Sequence, residues 1–212
     1  MRIYATTSVG RRDRQEDALH AELTNTGAFG VVCDGMGGHP RGDDASSAAV
    51  KAFTEAFKSG KSLCESARAT VAPVRALTIQ SRPRSPGTTL VAVAIDVEEE
   101  MFEVVWCGDS RAYAMSDDGN LVQITQDHGF GCTLIHYIPR SVLFESATFN
   151  GTPEVIVLVS DGVSDVLSPV AMQIVINEAW DFGEDPSEQL CAAALEAGSH
   201  DNVTAVVITR ED

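Results

Sequence analysis

No run of eighteen apolar residues interrupts this sequence, so no segment of it reads as a transmembrane helix. The start, Met1-Arg-Ile-Tyr-Ala-Thr-Thr-Ser8, lacks the apolar stretch of a secretory leader, which makes the cytoplasm the expected address. Basic residues are scarce: 15 Lys and Arg face 31 Asp and Glu, a formal charge of −16. Neutralising the phosphates of a nucleic acid or an anionic membrane takes clustered cations. The densest basic run is Arg11-Arg12-Asp13-Arg14, so neither partner is expected. Cys-x-x-Cys spacing is missing, and the five cysteines (33, 64, 107, 132, 191) are odd in number. Reduced, mostly buried thiols are therefore expected rather than a zinc ribbon or a disulfide framework. Internal repeats, low-complexity tracts and linkers are also missing.

What remains has the balance of a globular domain, with 44% hydrophobic and 22% charged residues over 212 positions. That length fits one domain or at most two small ones, and a single domain, 1–212, able to bury roughly 70% of its unfolded surface, is expected. Short β-type runs dominate both ends: 2–9, 18–23, 29–33, 88–97, 101–107, 111–115, 121–125, 141–149, 154–159 and 203–209. Turn signals such as Asp117-Asp-Gly-Asn120 and Asn150-Gly-Thr-Pro153 separate several of them, as antiparallel meanders require.

Helices fall between the strands in blocks. Ala45, Ala48, Ala49, Ala52, Phe53, Ala56 and Phe57 form one apolar stripe that ends near Gly60. A second helix is expected over Leu63–Gln80, bent or split by Pro73. A third starts at Ser168-Pro169, and a fourth after Asp185-Pro-Ser-Glu188, which has capping-box spacing, ending at Gly198. Strands, two helices, strands, two helices is not the alternation of a parallel α/β sheet. It predicts an α+β fold with antiparallel sheets between helical layers.

Aspartates stand where apolar strands meet turns: Asp17, Asp34, Asp161 and Asp201. Asp34 follows Phe29-Gly-Val-Val-Cys33 and Asp161 follows Val155-Ile-Val-Leu-Val-Ser160, each with a glycine directly after it. One such aspartate alone is readily a turn-former that accepts backbone N–H bonds. Several converging from different strand ends make a set of hard oxygen donors, which suits Mg²⁺ or Mn²⁺ rather than zinc.

Six motifs then follow one another: Arg12-Asp-Arg-Gln-Glu-Asp17, Cys33-Asp-Gly-Met-Gly-Gly-His39, Gly87-Thr-Thr89, Gly108-Asp-Ser-Arg111, Ser160-Asp-Gly-Val-Ser-Asp165 and His200-Asp-Asn-Val-Thr204. In this order they resemble the metal-dependent protein phosphatases, the type 2C serine/threonine phosphatases, in their bacterial form. The resemblance covers nearly the whole chain, from about Thr7 to Thr209. It implies a four-layer α-β-β-α sandwich of two antiparallel sheets flanked by helix pairs. It also implies hydrolysis of phosphoserine and phosphothreonine in proteins by a water activated between two metal ions.

Residue by residue, the resemblance implies that Asp34 bridges two Mg²⁺ or Mn²⁺ ions. Asp161 and Asp201 complete one ion, and Asp17 with the Gly35 carbonyl completes the other. Asp109 matches an aspartate that holds a weaker third ion with Asp161; a turn-capping role in Gly108-Asp-Ser110 is the equal alternative. Arg12 matches the phosphate-binding arginine, whose planar fork suits a bidentate grip. Met36 stands where eukaryotic relatives have a histidine, so His39 is the candidate proton donor to the leaving oxygen, or else lines the entrance. Thr125-Gln-Asp-His128 stands only 32 residues before Ser160, so the lid usual in the family is short or missing. The partner implied is a phosphorylated protein, the target of a serine/threonine kinase, met by a monomeric enzyme. Two other functions fit the same residues: a pseudophosphatase kept as a regulatory binding module, and a phosphatase of small phosphate esters.

Overall fold

The computed structural model describes residues 1–36, 41–80, 86–116, 118–130 and 133–210. Strands β1 (Arg2–Ser8), β2 (Asp17–Leu23) and β3 (Gly27–Asp34) come first, followed by helices α1 (Gly42–Lys58), α2 (Leu63–Ala69) and α3 (Val71–Gln80). Next are β4 (Leu90–Asp96), β5 (Met101–Cys107), β6 (Arg111–Met115), β7 (Leu121–Gln123) and the small hairpin β8 (Gly129–Phe130) with β9 (Thr133–Leu134). Then β10 (Glu145–Asn150) and β11 (Val155–Val159) lead into α4 (Asp161–Ser164), α5 (Pro169–Phe182) and α6 (Pro186–Glu196), and β12 (Val203–Thr209) closes the order.

Two five-stranded antiparallel sheets result, β1-β12-β11-β6-β7 and β10-β5-β4-β3-β2. Their inner faces meet through Val32, Val91 and Val104 on one side and Ile156, Leu158 and Val206 on the other. The outer face of the second sheet is covered by α1–α3 through Phe53, Leu63 and Val74. The outer face of the first is covered by α4–α6 through Val163, Met172, Ile176 and Leu190. Because both faces of each sheet are covered, central strands such as Val155–Val159 and Val203–Thr209 are buried at every position and carry no polar alternation. This is the expected four-layer α-β-β-α sandwich.

Local rules set the helix ends. Ser168 caps α5 by accepting from Ala171 N–H, with Pro169 in the first turn where no N–H is needed. Asp185 caps α6, accepting from the Ser187 and Glu188 N–H groups. A complete capping box forms at Ser62 and Glu65, ahead of α2.

Several boundaries differ from the sequence expectation. The helix expected over Leu63–Gln80 breaks at Thr70, whose hydroxyl donates to Ala67 O at 2.6 Å. Pro73 therefore sits in the first turn of α3, where its missing N–H costs nothing. The strand expected from Ser141 begins at Glu145, because Ser141 N–H closes a turn on Tyr137 O. Thr88 is drawn out of β4 into bridges with Gly35 and Ile138. The one-turn helix α4 and the β8–β9 hairpin carry too few residues to show a period in sequence.

Candidate metal centre

Sheet register brings the first pair of carboxylates together. Asp17 opens β2, Asp34 ends β3, and the two are directly opposite one another. Opposed side chains on antiparallel strands lie about 5 Å apart, a spacing at which like charges repel. Asp161 follows β11 as the first residue of α4, and Asp201 immediately precedes the turn into β12, the neighbour of β11. Strand ends from both sheets thus bring four aspartates to one edge of the sandwich.

The backbone there is tightly fixed. Thr89 Oγ1 accepts from Asp34 N–H at 2.9 Å, Thr88 Oγ1 donates to Asp34 O at 2.8 Å, and Thr89 Oγ1 lies 2.7 Å from Ser110 Oγ. Asn202 Oδ1 accepts from Glu16 N–H, while its Nδ2 donates to Val9 O and Arg14 O, tying the 9–16 loop to Asp201. The Asp-Gly pairs have a steric cause. A Cβ on Gly162 would stand 1.9 Å from Asn202 O, and one on Gly35 would stand 2.3 Å from Gly42 O. Only glycine lets these segments approach so closely.

Burial and mutual repulsion raise the carboxyl pKa values. Loss of water pushes Asp17 up to about 6, opposed by hydrogen bonds from Thr204 and Ser160. Loss of water also pushes Asp161 up to about 6, with Asp201 adding to the rise. Asp34 is driven well above the usual range by desolvation, then by the charges of Asp17 and Asp161. Asp109 rises to about 6 through desolvation and the nearby Asp161 charge.

These donors fit a divalent cation. All are hard carboxylate oxygens, and Asp161 Oδ1 is buried with no hydrogen-bond partner. Among the described residues, no three carboxylates, imidazoles or thiols already surround one point as a ligand set. Asp17 Oδ2 accepts from Ser160 and Thr204, and Asp201 Oδ2 from Arg12.

Arg12, half-exposed, donates through Nη2 to Asp201 Oδ2 at 2.6 Å and through Nε to His200 O at 3.2 Å. The proposed phosphate grip therefore stands against the centre, turned onto one of its carboxylates. The neighbouring Arg11 donates through Nη2 to Leu195 O at 3.1 Å. His39 lies outside the described residues. His128 has a structural role, accepting from Gly108 N–H through Nδ1 while its own N–H donates to Gly108 O. Sequence reasoning assigned no role to the hydroxyls of Thr88, Thr89, Ser110, Ser160 and Thr204. Thr204 is buried in the otherwise apolar run Val203-Thr-Ala-Val-Val-Ile208, where a threonine reads as an ordinary strand residue.

A four-layer sandwich with a carboxylate-lined edge of this kind defines the class of metal-dependent phosphatases. Residues 7–197 match the family model described as protein phosphatase 2C, and the chain belongs to that family. Among its relatives is the serine/threonine phosphatase stp of Listeria monocytogenes, 26% identical over 85% of this chain and 84% of the relative. The serine/threonine protein phosphatase PstP of Mycobacterium tuberculosis is 30% identical over 92% of this chain, which spans 42% of that longer protein. The catalytic domain of PstP solved with two manganese ions superposes with a TM-score of 0.84 at 26% identity, covering 100% of this chain and 98% of that one.

Proposed function

We propose that this chain hydrolyses phosphoserine and phosphothreonine in proteins, with Asp17, Asp34, Asp161, Asp201 and the Gly35 carbonyl holding two divalent ions. The observation that carries the reading is the Asp17–Asp34 register beside Asp161, whose buried Oδ1 has no protein donor. Bound Mg²⁺ or Mn²⁺ would supply Lewis acidity to the phosphoryl oxygens and lower the pKa of the attacking water. The chain's own part is to hold four carboxylates that repel one another until cations offset them. Asp109, together with Asp161, would hold a weaker third ion. The direct test is phosphate release from a phosphothreonine peptide with Mn²⁺ and with excess chelator. Turnover that persists in chelator sinks the reading, and a folded protein that binds Mn²⁺ without turnover makes it a regulatory binding module instead.

Arg12 takes the phosphate through its exposed guanidinium, leaving Asp201 to the cation. Arg12→Ala is expected to raise KM about tenfold with kcat little changed, because the grip acts on ground and transition states alike. A fall confined to kcat, seen in steady-state kinetics, removes this role. His39 is the proposed donor to the leaving oxygen. An alkoxide needs that proton far more than an aryl oxide does, so His39→Gln should slow phosphopeptides much more than an aryl phosphate; equal slowing of both discards it.

Residues 1–212 make a single catalytic domain in this proposal, since all three apolar clusters lie on the same two sheets. The substrate is a phosphoprotein made by a serine/threonine kinase, and the enzyme works as a monomer. A reducing, cytoplasmic setting is supported by Cys33, Cys64, Cys107 and Cys191, which are all free thiols. Among the described residues no helix is long and apolar enough to cross a membrane.

A further inference from the structure

Asp17 is held by more than its place on β2. Its Oδ2 accepts from Thr204 Oγ1 at 2.6 Å and from Ser160 Oγ at 2.8 Å. Asp17 belongs to one sheet, Thr204 lies in β12 of the other, and Ser160 directly follows β11 of that other sheet, so these bonds cross the sandwich. Ser160 and Thr204 are fully buried, and Thr204 N–H donates to Ser160 Oγ at 3.1 Å, which joins the two donors.

The chain of bonds continues behind Thr204. Thr7 Oγ1 lies 2.7 Å from Thr204 Oγ1 and accepts from Gln15 Nε2 at 2.7 Å. Gln15 Oε1 accepts from Asp17 N–H at 3.0 Å, closing a ring that begins and ends on Asp17. Proton directions follow from the inventory of donors. The Asp17 N–H fixes which end of the Gln15 amide is oxygen, so Nε2 must donate to Thr7. The single Thr204 proton goes to the carboxylate, so the Thr7 proton goes to Thr204. Every proton in the ring points towards Asp17 Oδ2.

We propose that Thr204 and Ser160 are positioning residues that occupy Oδ2 of Asp17 and leave Oδ1 as the one oxygen it offers a divalent cation. Thr7 and Gln15 set the donor direction of Thr204 from outside. The proposal rests on the reading of Asp17 as a metal ligand given above. A carboxylate with one oxygen withdrawn binds an ion through the other in one direction only, without choosing between one- and two-oxygen modes. Supporting groups of this kind typically change metal affinity by about 10–100-fold when lost.

The test is calorimetric titration of Mn²⁺ into the whole chain. Thr204→Val keeps the shape and the strand preference while deleting the donor, and should weaken Mn²⁺ binding tenfold or more. Thr204→Ser restores the donor and should stay within about threefold of the parent protein. At saturating Mn²⁺, Thr204→Val should lower kcat for p-nitrophenyl phosphate and leave KM unchanged. Thr7→Val, one bond further out, should weaken Mn²⁺ binding by a smaller factor of about three, and it decides the matter if Thr204→Val does not fold. Mn²⁺ affinity within twofold of the parent in the folded valine variants overturns the proposal, as does a serine variant as weak as the valine one. A parent protein that binds no Mn²⁺ overturns the metal-centre reading itself, and this proposal with it.

Discussion

Asp34→Asn is expected to lower kcat for a phosphothreonine peptide at least a thousandfold, about 4 kcal/mol of transition-state stabilisation. Asp34 is directly opposite Asp17 and feels the charge of Asp161, so in the proposed centre its loss would affect the seat of both ions at once. The same variant should not destabilise the metal-free protein. Burial and the Asp17 and Asp161 charges already oppose ionisation of Asp34, and an amide of the same shape removes that conflict. In the presence of chelator its Tm should equal or exceed that of the parent. Peptide kinetics and a thermal melt check both halves. Turnover within tenfold of the parent would discard the assignment of Asp34, and a Tm loss of many degrees would mean that it holds the fold instead.

Removing metal should make stability rise on acidification. Asp17, Asp109 and Asp161 have folded-state pKa values raised from 3.8 to about 6. Carboxyls raised in the folded state bind more protons there than in the unfolded chain between those two values. Their stabilising contribution is therefore present at low pH and lost as pH climbs through about 6. The chelated protein should melt several degrees higher at pH 5.5 than at pH 8, the reverse of ordinary acid denaturation. At pH 8, Mn²⁺ at a hundred times its Kd should add about 2.7 kcal/mol, a rise of roughly 5–10 °C for a chain of this size. That increment should shrink at pH 5.5, where protons compete for the same oxygens. Calorimetric melts at the two pH values, with and without Mn²⁺, check the sign; a chelated protein that melts lower at pH 5.5 contradicts it.

The strand-end aspartates stood out in sequence because an aspartate at the end of an apolar run, followed by glycine, conflicts with its surroundings unless something compensates it. The strands and long helices were legible because burial on both faces leaves unbroken Val-, Ile- and Leu-rich segments. The hydroxyl ring around Asp17 was not, because threonine is an ordinary strand former, and Thr204 in β12 looks like any other β-branched residue. The Arg12–Asp201 contact spans 189 positions and depends on the fold of the 9–16 loop, which no local pattern encodes. The split of the second helix at Thr70 was misplaced to Pro73 because proline marks helix starts as well as helix breaks.

The β2–β3 hairpin sets a length standard for the active edge of the molecule. Its turn closes with Thr24 N–H on Gly27 O, and the ladder runs from Leu23↔Ala28 to Asp17↔Asp34. Those six steps span about 20 Å, so the distant turn determines that the two aspartates arrive opposite one another at the proposed metal centre. Successive side chains point to opposite faces, so a one-residue insertion inside either strand would turn the residues beyond it, the aspartate included, to the wrong face. An insertion at Thr24–Thr26 would lengthen only the loop and leave the ladder in step. Tolerance to change in this hairpin is thus graded by position along it, and the residues free to vary are those farthest from the chemistry.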